Sequence, residues 1–210
     1  MSGRRTSAAA AVVGVAIVAY VGFVRDRHLN WGATIDEASR ELPGDQLMPD
    51  ADVVATRVVE IDAPAADVWP WLVQMGPGRG GAYTYDWIER RLGVDIHNTD
   101  RIVPELQHLA VGDEIPMTGY TMRAEIVDPQ RTLGFRSSDG KWAWSFELVP
   151  TDGHTRLISR NRFDTSAYTF KDWAGYAVME PGSWVMERKM LLTIKQRAEA
   201  LAKRATARTA

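Results

Sequence analysis

Residues 53–76, VVATRVVEIDAPAADVWPWLVQMG, decide how this chain is read. The first nine alternate in the manner of a half-buried strand, with Val59 and Ile61 on one face and Arg57 and Glu60 on opposite faces, so the pattern is imperfect near its start. Asp62 suits a strand end, and Pro64 suits the first turn of a helix, where its missing N–H would have no partner. Val68, Trp69, Leu72 and Val73 then recur at helical spacing and form an apolar stripe. A strand that turns within a few residues into a Trp-rich helix calls for a concave sheet to hold it.

On the C-terminal side, GPGRGGAYTYDWIERRLG (76–93) is a glycine-rich bend feeding a short helix from about Tyr85 to Leu92. It is no phosphate-binding loop, because that motif follows a strand and ends in Gly-Lys-Ser/Thr, whereas this bend follows a helix. A hinge fits better, with Arg79 either available for an acidic head group or simply part of a solvated turn. The next stretch, DIHNTDRIVPELQHLAVGDEIPM (95–117), runs irregularly into a strand near Glu114. His97 lies between Asp95 and Asp100, but neither a helical i, i+4 pair nor a second nearby histidine completes a metal site. His97 is expected instead as a polar contact at a cavity mouth or as a loop residue held by an aspartate.

From Tyr120 onward the pattern is that of strands. TMRAEIVDPQRTLGFRSS gives two of them joined at Asp128-Pro129-Gln130, and Asp139-Gly140 marks a hairpin. WAWSFELVP then puts Trp142, Trp144, Phe146 and Leu148 on one side. In TRLISRNRFD, Leu157, Ser159, Asn161 and Phe163 share a face opposite Arg156, Arg160 and Arg162. Tryptophans facing Ser159 and Asn161 have the make-up of a small-molecule pocket; a plain aromatic core is the competing reading. A long helix from about Gly182 to Arg204 closes the chain, with Pro181 at its start and Trp184, Met190, Leu191, Ile194, Ala198 and Leu201 as its apolar stripe.

Three stretches, IDAPAADVWPWLVQMGPGRGGAYTYDWIE, DRIVPELQHLAVGDEI and EPGSWVMERKMLLTIKQRAE, resemble the SRPBCC superfamily of START, polyketide-cyclase-like and coenzyme-Q-binding proteins, in particular membrane-anchored actinobacterial members. The resemblance covers residues 51 to 205. It implies an α+β helix-grip fold, a curved antiparallel sheet wrapped around a long C-terminal helix, enclosing a cavity for a lipid or other apolar small molecule. It does not imply one chemistry. The residues expected to line that cavity are Trp71, Tyr83, Tyr85, His97, Phe135, Trp142, Trp144, Asn161 and Met186. No catalytic constellation, metal or cofactor is expected; the alternative is a polyketide cyclase or dehydratase using His97, Tyr83, Tyr85 or Asp95 as acid or base.

The chain has 210 residues, no cysteine and a formal charge of −2, which rules out disulfides and thiolate chemistry and offers no strong pull on nucleic acid. Ala8–Val24 carries no charge and no proline, lies between Arg4-Arg5 and Arg25-Asp26-Arg27, and as a helix would extend about 25 Å. It reads as a single-pass transmembrane helix, with a cleaved signal peptide as the competing reading. Arginines on both flanks leave the positive-inside rule without a decision on sidedness. The expected division is an anchor over 1–27, a linker over 28–52, the helix-grip domain over 53–205 and a tail over 206–210. Within the linker a short helix is expected from Thr34 to Leu42, because TIDE has the form of a capping box. A cell-membrane location follows from this reading.

Overall fold

The structure, a computed structural model, describes residues 24–87 and 97–209. The apolar run before Val24 and most of the helix expected at 85–92 lie outside the described residues. Among the described residues no helix is long and apolar enough to cross a membrane.

Strand β1 (Val53–Ile61) leads through Pro64 into helix α3 (Ala65–Val73), which follows two short helices, α1 (Arg25–Leu29) and α2 (Ile35–Ser39). Strands β2 (Glu114–Pro116), β3 (Thr121–Asp128), β4 (Thr132–Ser137), β5 (Trp142–Thr151) and β6 (His154–Phe163) complete the sheet, and helix α4 (Phe170–Thr209) ends it. All pairings are antiparallel, in the order β1-β6-β5-β4-β3-β2, so the first and last strands are neighbours. The register slips between Ala124 and Ile126, a bulge that bends β3. This six-stranded curved sheet with its long closing helix is the helix-grip arrangement.

One continuous core fills the space between the concave face, α3 and α4. Val59, Ile61, Val68, Leu72, Leu133, Phe146, Leu157, Leu191 and Ile194 are among its buried members. Side chains at Trp142, Trp144, Phe146 and Leu148 point the same way, as the period-two pattern predicts. Helix α4 departs from expectation at its start: it runs over 40 residues and carries Pro181 inside rather than at its first turn. An interior proline costs about 3 kcal/mol. Contacts of the helix upstream of the proline offset that cost, among them the Arg25–Glu180 ion pair at 2.7 Å and the edge-to-face contact of Tyr176 on Phe163.

The stretch that reads as a linker lies against the convex face of the sheet. Thr34 caps α2, and both halves of the capping box form: Glu37 N–H to Thr34 Oγ1 at 3.2 Å and Thr34 N–H to Glu37 Oε2 at 2.7 Å. The Glu37 carboxylate also accepts from Arg156 at 2.9 Å, while Asp45 pairs with Arg160 at 2.7 Å and with Arg162 at 3.2 Å. Leu42 packs with Val58 and Ile158 beneath these pairs. The free edge of β1 is partly paired as well, because Val58 N–H donates to the Trp31 carbonyl at 2.9 Å. Gly32 makes this approach feasible: its φ is +76°, and a Cβ there would sit 2.1 Å from the Val58 carbonyl oxygen.

Candidate functional site

Beneath the middle of α4 lies a buried polar knot. Arg57, which breaks the apolar pattern of β1, points to the concave side, and its guanidinium pairs with Glu187 of α4. Arg57 Nε also donates to the His28 carbonyl at 3.0 Å. The Glu187 carboxylate accepts from Ser159 Oγ at 2.7 Å and from Asn161 Nδ2 at 3.0 and 3.1 Å. Two indoles join from β5: Trp144 Nε1–H donates to Ser159 Oγ and Trp142 Nε1–H to Asn161 Oδ1, both at 2.9 Å. Arg57 is 2% exposed and Glu187 8% exposed, so the pair is held out of water and is favourable only because its remaining donors and acceptors are matched. Ser159 and Asn161 therefore face inward, as the sequence predicts, but they hold α4 and the tryptophans in place.

Beside this knot, toward β2–β4, a hollow of about 70 Å³ opens between the sheet and the bend after α3. Met75, Ile115, Met117, Met122, Phe135 and Trp144 form most of its wall, with Gly76, Pro77 and Ala82 completing it. No titratable side chain is among these nine. The volume would hold about five waters, or a ligand fragment of that size. Three methionines in the wall give it compliance, since a thioether on three rotatable bonds changes shape at little cost. Trp144 is thus shared between two features: one side faces the hollow, and its N–H is chained through Ser159 to Glu187.

Two further features flank the hollow. At the start of α4, a half-open groove of about 490 Å³ is lined by Lys141, Phe163, Tyr168, Tyr176, Met179 and Glu180, among others. Burial, reinforced by the Glu180 charge, pushes the Tyr176 phenol upward. Near the other end of α4, the Arg197 guanidinium lies 5.2 Å from the Trp71 ring centre and 4.6 Å from that of Tyr83. Trp71 and Tyr83 meet edge to face with centroids 6.0 Å apart, and the Tyr83 hydroxyl donates to the Trp71 carbonyl at 2.9 Å. Burial pushes the Tyr83 phenol up to about 12. Tyr83 also holds φ of +58°, an uncommon conformation for an aromatic residue.

The expected site residues therefore divide among several places. Phe135 and Trp144 line the hollow. Trp142 and Asn161 belong to the knot, with Trp142 stacked between Trp144 at 5.4 Å and Phe163 at 6.0 Å. Trp71 and Tyr83 pack under Arg197, and Tyr85 has Lys189 Nζ 5.8 Å above its ring. His97 is exposed on the loop before β2, and Met186 is half-buried next to Glu187. Arg79, read as available for a head group, is instead committed to the Val73 and Leu106 carbonyls at 2.9 and 3.2 Å and serves as a plug under the glycine-rich bend. Arg57, Glu187 and Arg197 are the residues sequence reasoning missed. The one signal for Arg57 was a charge at a position that the alternation assigns to the same face as Val59 and Ile61.

A helix-grip domain with a small, wholly apolar hollow under the sheet is the class that fold and site define. No family model and no curated protein matches the sequence. Among solved structures the chain is similar to a polyketide-cyclase-like protein of Corynebacterium glutamicum, at 15% identity and a TM-score of 0.39 over 70% of this chain and 91% of that one. It is also similar to an AHSA1-like protein of Aeromonas hydrophila, at 18% identity and 0.39 over 70% and 93% of the two chains. A protein of Mycobacterium smegmatis superposes at 15% identity and 0.42 over 79% and 96%. At such identities and scores the architecture rests on this chain's own strand order and closing helix.

Proposed function

We propose that this protein binds, and carries or senses, a small apolar molecule in the hollow beside Trp144, and that residues 8–24 tether it to a membrane. The observation that carries the reading is the wall itself: nine residues, three of them methionines, with no charged or titratable group. A guest burying about 200 Å² of apolar surface there would gain about 5 kcal/mol, against which the cost of association is set, so the affinity grows with whatever further apolar surface the guest buries. A lipid chain is longer than the hollow and would enter by displacing the Met117 and Met122 side chains. The cyclase alternative needs an acid or base within reach of the guest. Tyr83 is committed to the Trp71 carbonyl, and His97 sits exposed on its loop. Binding is therefore the better supported reading.

Native mass spectrometry of the full chain purified in detergent, followed by organic extraction, tests it. The reading expects a neutral apolar molecule to co-purify and to be depleted in Ala82→Trp, which fills the hollow. Equal recovery from both proteins would place the guest elsewhere. Turnover of a polyketide-like substrate that is lost on replacing Tyr83, Tyr85 or His97 would favour the enzyme instead.

A further inference from the structure

The cluster at Arg197 contains donors with nothing to donate to. Arg197 makes no ion pair and no hydrogen bond among the described residues, although its Nη1 is fully enclosed. Asp86 and Asp100 act on it from a distance without pairing. Trp71, 4% exposed, has an enclosed indole N–H that is likewise unbonded. The two groups adjoin, since the guanidinium carbon lies 5.2 Å from the Trp71 ring centre. Arg197 as a whole is half-buried, and its Nη1 and Arg79 Nε are both enclosed and unbonded. The two buried arginines of the sheet are paired by contrast: Arg57 has Glu187 and the His28 carbonyl, and Arg160 has Asp45, Thr56 and the Arg40 carbonyl.

Buried donors in folded proteins almost always find acceptors, and each exception calls for a physical account, an ion or ligand being one. The aromatic faces of Trp71 and Tyr83 hold the guanidinium in place and supply cation–π attraction, but a ring face satisfies no N–H in the plane of the fork. We infer that Arg197 and the Trp71 indole form a binding niche for an oxyanion, a carboxylate or phosphate group that accepts from both. A planar fork meets such a group with two parallel hydrogen bonds, and the indole supplies a third donor. Tyr83 and Trp71 flank the niche, while Ala82 and Met75 on the same segment line the hollow. The oxyanion can be a free ion or the head group of an apolar acid. The inference stands apart from the proposed apolar guest, which needs no charge.

The test uses full-length protein labelled with ¹⁵N at tryptophan, in detergent and low salt, and follows the Trp71 indole resonance, assigned by Trp71→Phe. Inorganic phosphate, decanoate and neutral decanol are titrated separately. The niche requires a saturable shift of that resonance with phosphate or decanoate but not with decanol. Affinity should fall at least about tenfold in Arg197→Gln and in Arg197→Lys, which keeps the charge but loses the fork. Decanoate binding much more tightly than phosphate would assign the niche to a head group, and comparable affinities to a free ion. Should Arg197→Gln fail to fold, the lysine variant decides. No Trp71 shift with either oxyanion at tens of millimolar, or unchanged affinity in the lysine variant, overturns the inference. A decanol response at the hollow with a silent Trp71 would leave the apolar-guest reading standing while removing this one.

Discussion

Replacing Glu187 by glutamine keeps the volume of the side chain and removes its charge, which isolates the electrostatic part of the buried knot. In the native protein this carboxylate accepts from Arg57, from Ser159 Oγ at 2.7 Å and twice from Asn161. After the change, Arg57 loses its counter-charge while remaining 2% exposed, and beyond the His28 carbonyl at 3.0 Å and a long contact to Ser183 Oγ at 3.5 Å it can draw only on the neutral glutamine oxygen. An uncompensated buried charge of this kind costs about 3–5 kcal/mol. The introduced amide N–H₂ adds a second conflict, because it would face the donors of Arg57 or Asn161. Against a total stability of about 5–15 kcal/mol, the loss is large enough to shift a urea midpoint by about 2 M at an m-value near 2 kcal/mol per M. The assay is urea unfolding followed by tryptophan fluorescence, in which the Trp144 and Trp142 indoles report on the knot directly. The double variant Arg57→Met/Glu187→Leu should recover part of the loss, since it removes the buried charge, while Ser159 Oγ–H and Asn161 Nδ2–H lose their acceptor and account for the remainder. A loss below about 1 kcal/mol in Glu187→Gln, or a double variant as unstable as the single one, would refute the reasoning.

Two other outcomes concern the convex face. Gly32→Ala should destabilise by about 2 kcal/mol or more, because the new Cβ meets backbone and φ is +76°; urea unfolding measures it, and Gly153→Ala, where a Cβ meets nothing within 4 Å, serves as the contrast for left-handed backbone alone. The Arg156 hydrogen bond holds the Glu37 carboxyl down at about 2, against an ordinary 4.5. Its folded value is depressed, so its stabilising contribution is complete above about pH 4.5 and is lost as pH falls toward 2. Unfolding free energies at pH 6 and pH 3 should therefore differ less in Glu37→Gln than in the native protein.

The period-two strands were legible because a half-buried sheet writes its two faces directly into the sequence. Trp142, Trp144, Phe146 and Leu148 point inward as read, and Asp139-Gly140 turns the chain where expected. The Thr34–Glu37 capping box was legible for the same reason, since both partners lie within one turn. What stayed hidden are pairings between residues far apart in the chain. Arg57 looked like a flaw in β1 until Glu187 supplied its partner from the last helix. Glu37 and Asp45 made residues 28–52 look like an acidic linker, yet their partners Arg156, Arg160 and Arg162 sit on β6. Pro181 was read as a helix start by a local rule that tertiary contacts of Glu180 and Tyr176 override. The candidate site was legible as an inward aromatic face, but composition could not say that Ser159 and Asn161 would bind the protein's own glutamate, leaving the guest an apolar hollow to one side.

The central claim is that this hollow admits a guest. Methyl-labelled methionine spectra of the full chain, titrated with decanol, test it at the wall itself. Met75, Met117 and Met122 should shift together and saturably, with Met48, buried away from the hollow where its carbonyl accepts from Arg162, unmoved. Silence at those three methyls, or shifts confined to Met179 in the outer groove, would contradict the account.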